Sequence, residues 1–139
     1  MALKANAVAA RATLTLCALG VVLHAYEAAR AVVDRSSGAI DFGGFMFLVG
    51  FLLWSCLPYA IWVYVAVVQR QPAPALGCAV GSLFFDLWVH YSVFIGPTRS
   101  TAALALLFAP VWNLILFGPL GAAISWPAIT LLARRKNAP

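Results

Sequence analysis

Charged residues are scarce in this chain of 139 residues: Asp, Glu, Lys and Arg together make up only 9%, and the acidic residues number four. A soluble domain usually carries about a quarter charged residues. So little charge leaves too little polar surface for a water-soluble globule, which excludes a cytosolic enzyme, a nucleic-acid-binding domain and a disordered tail. The chain has three cysteines and no Cys-x-x-Cys spacing. Neither a disulfide framework nor a thiol-redox motif is therefore expected.

Apolar residues, by contrast, make up 64% of the chain, and the mean hydropathy is +0.95. A membrane-spanning helix needs about 20 such residues. Four apolar stretches of that length stand between polar segments, at residues 12–33, 45–68, 76–95 and 102–133. Short connections make sequential helices antiparallel neighbours. The sequence therefore predicts an all-α integral membrane protein, with a single transmembrane domain over residues 1–139 that forms a four-helix up-down bundle.

The fourth stretch is long for a single span. As a straight helix, residues 102–133 would measure about 48 Å, against a hydrocarbon core of about 30 Å. Three prolines interrupt this stretch: Pro110, Pro119 and Pro127. It forms either one kinked span or two short ones. A single span keeps both termini cytoplasmic and puts the basic residues 134–136 on the same side as Lys4 and Arg11, as the positive-inside rule favours. We therefore predict a long, proline-kinked fourth helix.

Polar residues inside the apolar stretches follow helical spacing. Ionisable groups at membrane depth are costly and normally face the interior of a bundle. The first stretch carries a small and polar face, formed by Thr13, Cys17, Gly20, His24, Glu27 and Ala31. The third carries a similar face, formed by Cys78, Ser82, Asp86 and His90. Counted along each helix at 1.5 Å per residue, the ionisable groups of the two faces lie at matching depths. We therefore predict that His24 lies near Asp86 and Glu27 near His90.

Three interpretations of this polar intramembrane cluster stay open. In the first, two carboxylate–imidazole pairs neutralise each other and fix the register of two helices. In the second, the pairs exchange a proton and form part of a transport path. In the third, they hold a ligand, either a bis-His haem on His24 and His90 or a metal on two histidines and two carboxylates. Glu27 could also pair locally with Arg30, three residues further along the helix, which would weaken the transport hypothesis.

Four further positions bear on helix shape and packing. Pro58 in the second stretch removes a backbone donor and is expected to kink the helix. Its neighbours Ser55 and Tyr59 could bond the freed carbonyl or reach the polar cluster. Pro110 and Pro119 break the fourth stretch in the same way. Asn113, between them, is typical of a side chain that hydrogen-bonds one membrane helix to another.

The last third of the chain carries a turn followed by a proline-containing apolar helix. Its residues are Gly96-Pro97-Thr98-Arg99-Ser100-Thr101-Ala102-Ala103, then Leu107-Phe108-Ala109-Pro110 and Phe117-Gly118-Pro119-Leu120-Gly121. This pattern resembles that of small uncharacterised bacterial four-span inner-membrane proteins, in which a Pro/Ser/Thr-rich turn precedes a Leu-Phe-x-Pro last helix. The resemblance implies a bacterial multi-pass protein and no particular activity. Independently of it, Ser100 or Thr101 would cap the fourth helix.

The function expected from these features is that of a non-catalytic protein of the bacterial cell inner membrane. It would act through helix–helix contacts, as an accessory subunit or as an immunity protein against a membrane-acting toxin. A small proton-coupled transporter or proton-conducting element is the alternative, and a bis-His haem protein is the third hypothesis. We expect no cofactor and no nucleic-acid partner. The expected partners are the lipid bilayer and either a second copy of the chain or another membrane protein.

Overall fold

The computed structural model describes residues 2–33, 41–96 and 102–135, and these residues form helices and no strands. The helices in chain order are α1 (Ala2–Val33), α2 (Phe42–Val67), α3 (Pro72–His90), α4 (Ala102–Trp112) and α5 (Gly118–Arg135). A π-helical turn, Tyr91–Ile95, extends α3, and a second one, Asn113–Phe117, joins α4 to α5. The cap expected at Ser100 or Thr101 lies outside the described residues, as does Lys136.

Among the described residues, four helical segments are long and apolar enough to cross a membrane. They are Asn6–Arg30, Phe42–Val67, Pro72–Ile95 and Leu104–Pro127, of 25, 26, 24 and 24 residues. The prediction of an all-helical protein with four helices of spanning length is confirmed. Residues 102–133 contribute one such segment rather than two.

Helices α1, α2 and α3 begin earlier than the apolar stretches do. Helix α1 starts at Ala2 rather than near residue 12, because its alanine-rich first turns favour a helix whatever their hydropathy. Helix α2 starts at Phe42 rather than residue 45, and the Asp41 Oδ1 atom accepts a hydrogen bond of 2.7 Å from the Gly44 N–H. Helix α3 starts at Pro72 rather than residue 76, with proline in its first turn, where the missing N–H costs nothing. Hydropathy marks the apolar section of a helix and misses its caps.

Helix α3 is central: it packs against α1, α2, α4 and α5, and most extensively against α5. The contact with α5 and with the π-helical turn before it runs backbone to backbone. A Cβ atom on Gly77 would overlap the Gly121 carbonyl oxygen, and one on Gly81 would overlap that of Phe117. Gly77 and Gly81 form a Gly-x-x-x-Gly pair, the small-residue spacing that lets membrane helices approach closely.

The hydrogen-bond register of the fourth helical segment changes between its prolines. The Gly118 N–H donates to the Asn113 carbonyl, five residues back instead of four. Pro119, which follows, has no N–H to continue the α-helical ladder, and such a shift of register is one way to accommodate it. The kink expected here stays a prediction. The shifted turn begins at Asn113, a buried polar residue.

Candidate functional site

The polar cluster is organised around the carboxylate of Asp86 on α3, which is 1% exposed. Three side chains surround this carboxylate, one from each of the other membrane-length segments. The His24 Nε2 atom on α1 lies 3.1 Å from Oδ2, and the Tyr59 hydroxyl on α2 donates to the same oxygen at 2.6 Å. The Asn113 Nδ2 atom donates to Oδ1 at 2.7 Å. A single carboxylate thus joins all four segments.

The polar faces read from the sequence explain how Asp86 reaches these partners. Cys78, Ser82, Asp86 and His90 are all buried on α3, and Thr13, Cys17, Gly20 and His24 are all buried on α1. Gly20 has a particular part in this packing, because a Cβ atom there would overlap the ring of Tyr59. The missing side chain lets the Tyr59 ring lie against α1 with its hydroxyl at Asp86.

Glu27 and His90 form a second pair beside the first. The His90 Nε2 atom contacts Glu27 Oε1, and the His24 Nδ1 atom lies 3.6 Å from Glu27 Oε2. His24 therefore stands between the carboxylates of Asp86 and Glu27, one on each ring nitrogen. The structure brings together the two pairs that matched depth predicts. Glu27 is in contact with both histidines, and Arg30, the local partner considered for it, lines the cavity next to it.

The hydrogen bonds of the two imidazoles fix which ring nitrogens are left to face Glu27. The His90 Nδ1 atom lies 2.5 Å from the Asp86 carbonyl oxygen. A carbonyl and a carboxylate accept hydrogen bonds, so the proton belongs on Nδ1 of His90 and on Nε2 of His24. When each ring is neutral, the lone pairs of His90 Nε2 and His24 Nδ1 are directed towards Glu27.

The Glu27–His90 side of the cluster is not satisfied by hydrogen bonds. Among the described residues, both Glu27 carboxylate oxygens and the His90 Nε2 atom are buried without a hydrogen bond of acceptable geometry. The side chains are 11% and 10% exposed. Buried polar atoms are normally hydrogen-bonded, since leaving one unpaired costs about 1–3 kcal/mol. In the part of the chain that the structure describes, three of the buried atoms without a hydrogen bond thus lie on this side of the cluster, against one, Asn113 Oδ1, on the Asp86 side.

A cavity of about 530 Å³ adjoins this pair, between α1 and the end of α3 with its π-helical extension. Its wall is mainly apolar, with Glu27, Arg30 and His90 among the residues that line it: Leu23, Tyr26, Glu27, Arg30, Leu87, His90, Tyr91, Phe94 and Ile95. Glu27 and His90 thus border a space large enough for a small molecule, whereas Asp86 does not line it.

The three prolines and Asn113, which were expected to shape or pack the helices, differ in burial and in their contacts. Pro58 and Pro110 are buried inside α2 and α4, and Pro119 is exposed in the first turn of α5. Asn113 joins the cluster through Asp86, as a helix-to-helix hydrogen bond. Ser55 is buried, and its hydroxyl makes no hydrogen bond among the described residues.

Two residues of α2 belong to the core in addition to the four of the predicted cluster; for one of them, Tyr59, reaching the cluster was one of the two roles considered. Tyr59 bonds Asp86, and the Trp62 Nε1 atom donates to the Ser82 hydroxyl at 3.0 Å. A sequence signal for both exists: Ser55, Tyr59, Trp62 and Ala66 recur at spacings of four, three and four, and all are buried. This signal is hard to recognise in the sequence, because tyrosine and tryptophan are equally typical of membrane interfaces.

Comparison of the chain with protein-family models, with curated proteins and with solved structures finds no match. The resemblance to small four-span inner-membrane proteins therefore stays a prediction, and the function rests on the chemistry of the cluster.

Proposed function

We propose that this chain is a non-catalytic, multi-pass protein of the bacterial inner membrane that acts through helix–helix contacts, as an accessory or immunity-type protein. In this proposal its four spans form an up-down bundle with both termini cytoplasmic. The observation that carries the proposal is the environment of Asp86. Its carboxylate is buried and has donors from three helical segments, which suits a group that fixes helix positions rather than one that reacts.

The outer surface supports the same proposal. Large apolar side chains are exposed on every membrane-length segment, among them Val22, Leu53, Phe84 and Ile115. Helices α2 and α3 are joined by residues 68–71 alone. Contacts with another protein would therefore be made largely within the bilayer, where close packing and interhelical hydrogen bonds drive association.

Photocrosslinking in native membranes tests the proposal. A photoreactive amino acid is placed singly at Val22, Leu53, Phe84 and Ile115, which represent the exposed faces of the four segments. We expect crosslinks to one other membrane protein from one or two of these faces and lipid adducts from the others. Lipid adducts from all four faces would contradict the proposal. Crosslinks to a second copy alone would replace it with homo-oligomerisation.

Proton-coupled transport is the second candidate. Its support is a chain of side-chain contacts from Asp86 through His24 and Glu27 to His90, at the wall of the cavity. Proton flux into proteoliposomes tests it, with Glu27→Gln and Asp86→Asn as variants. Flux above that of protein-free liposomes, lost in both variants, would favour transport. Background flux in the wild type would remove this candidate.

The bis-His haem hypothesis has less support. The rings of His24 and His90 have centroids 5.5 Å apart, and Glu27 contacts both of them. A porphyrin between the two imidazoles would have to displace this carboxylate. A Soret band in the purified protein that disappears in His24→Ala would restore the hypothesis.

A further inference from the structure

We propose that His24, Glu27 and His90 form a binding site for a divalent transition metal of the zinc class. This proposal goes beyond the proposed function, because action through helix–helix contacts gives the side-chain atoms of these three residues no role. One ligand atom from each residue lies within 4.8 Å of the others. Atoms bound to one zinc ion lie about 2.0–2.2 Å from it, so small side-chain movements bring all three within reach of one ion.

The partners of the two histidines are those that metal-binding imidazoles use. A metal-ligating histidine almost always donates its other ring N–H to a carboxylate, a backbone carbonyl or water. Here His24 has the Asp86 carboxylate on Nε2 at 3.1 Å, and His90 has the Asp86 carbonyl on Nδ1 at 2.5 Å. One residue therefore orients both rings and leaves His24 Nδ1 and His90 Nε2 facing Glu27.

The unsatisfied atoms are the independent observation that points to an ion. His90 is 9% exposed, and its Nε2 atom and both Glu27 oxygens are buried without hydrogen bonds among the described residues. A cation between the side chains would use all of these atoms and neutralise the carboxylate. An ion pair between a protonated His90 and Glu27 would use only one oxygen, because the other lies 3.6 Å from His24 Nδ1, which is too far for a hydrogen bond whatever the protonation of that ring.

The donor set selects the class of metal. Two imidazoles and one carboxylate suit zinc and its neighbours, whereas calcium and magnesium prefer oxygen ligands. Asp86 is not a ligand, because His24, Tyr59 and Asn113 occupy its oxygens; this narrows the predicted set of two histidines and two carboxylates to one carboxylate. Three protein ligands leave a fourth position open, and the cavity beside Glu27 and His90 gives water or a small molecule access to it.

Cobalt titration of the purified full chain tests the site. The protein is prepared in detergent without a histidine tag, stripped with a chelator, and titrated with Co²⁺. We expect one equivalent to bind with the visible absorption bands of four-coordinate cobalt, and Zn²⁺ to displace it. The matched control is Asp41→Asn, which removes the exposed carboxylate at the start of α2 and supplies another good helix cap.

The variants distinguish the residues that bind the metal from Asp86, which only orients the two histidines. His90→Gln and Glu27→Gln are expected to weaken Co²⁺ binding by at least about tenfold, and Asp86→Asn by about 10–100-fold with the visible bands retained. The control Asp41→Asn is expected to bind as the wild type does. A wild type without these bands, or one whose binding is unchanged in His90→Gln, would overturn the proposal. If a variant fails to fold, the wild-type spectrum alone decides.

Discussion

The polar cluster has two halves, one around Asp86 and one around Glu27, and they differ in how many of their polar atoms are hydrogen-bonded. Around Asp86, three donors from three segments converge on one carboxylate. Around Glu27, both oxygens and the facing His90 nitrogen lack hydrogen bonds among the described residues, beside a cavity. A buried carboxylate with a full set of donors is suited to hold a structure together, whereas one without them is suited to bind something. The same residue types thus have two different roles about one helical turn apart, since Asp86 and His90 are four residues apart and His24 and Glu27 are three.

The positions of the two carboxylates in the bundle produce this difference. Asp86 is on the central helix α3, which contacts α1, α2, α4 and α5. Glu27 is on α1, which packs against α2 and α3. At the depth of Glu27, the wall next to the cluster is formed by α1 and α3 with its π-helical extension. A carboxylate between two helices finds fewer donors than one among four.

Replacement of Asp86 is expected to have the largest effect on stability. Asp86→Leu leaves His24, Tyr59 and Asn113 buried without their shared acceptor. Removal of one member of a buried hydrogen-bonded charge pair costs about 3–5 kcal/mol. Equilibrium unfolding in mixed micelles measures the loss. A variant as stable as the wild type would show that the packing of α3 alone holds the bundle.

Tyr59→Phe removes one donor from Asp86 and keeps the ring that packs against Gly20. A hydrogen bond to a charged group contributes about 1.5–3 kcal/mol, so a smaller loss of unfolding free energy than in Asp86→Leu is expected. The same unfolding assay measures it, and Tyr64→Phe is the matched control because Tyr64 is exposed on the same helix. Equal losses of unfolding free energy in the two variants would mean that the hydrogen bond from Tyr59 to Asp86 stabilises the protein no more than the exposed hydroxyl of Tyr64 does.

Helical periodicity predicted the partners of the cluster but not its division into two halves. The spacing of His24, Glu27, Asp86 and His90 indicates which faces meet, since faces and depths follow from the rise and twist of a helix. The hydrogen bonds of Tyr59 and Asn113 depend on how α2 and the fourth segment pack against α3. Sequence periodicity within one helix carries no information on the rotation of its neighbour, so these two donors could not be assigned to Asp86.

The helix ends were the other part that hydropathy could not locate. The Asp41 side chain accepts a hydrogen bond from a backbone N–H at the start of α2, and the prolines at the start of α3 fit a first helical turn because it needs no N–H from them; neither effect depends on apolarity. The close contact between Gly77 and Gly121 was also missed, although the Gly-x-x-x-Gly spacing of Gly77 and Gly81 is visible in the sequence. That spacing becomes informative only once a partner helix is known to pass over it.

Gly20→Ala tests whether the Asp86 half depends on close packing. The new Cβ atom would overlap the Tyr59 ring and push its hydroxyl away from Asp86, with an expected loss of about 1–3 kcal/mol. Gly50→Ala is the matched control, because nothing lies within 4 Å of a Cβ atom there. Alanine is a better helix former than glycine by up to about 1 kcal/mol, so the control should be neutral or stabilising. The two variants are compared by unfolding in mixed micelles, and changes of the same sign would contradict the expected packing.

Glu27→Gln is expected to have the smallest effect on folding and so to separate the two halves most sharply. The substitution keeps the size of the side chain and replaces a buried carboxylate that makes no hydrogen bond among the described residues. The lost contact with His90 is offset because a neutral amide costs less to bury than a charge, so the unfolding free energy of the metal-free protein should change by about 1 kcal/mol or less. Asp86→Asn, which removes the same charge from the satisfied half, should cost more. Zn²⁺ should stabilise the wild type more than Glu27→Gln, because a ligand that binds only the folded state adds to its stability in proportion to its binding free energy. A Glu27→Gln variant that loses as much stability as Asp86→Asn without metal would mean that both halves serve the fold.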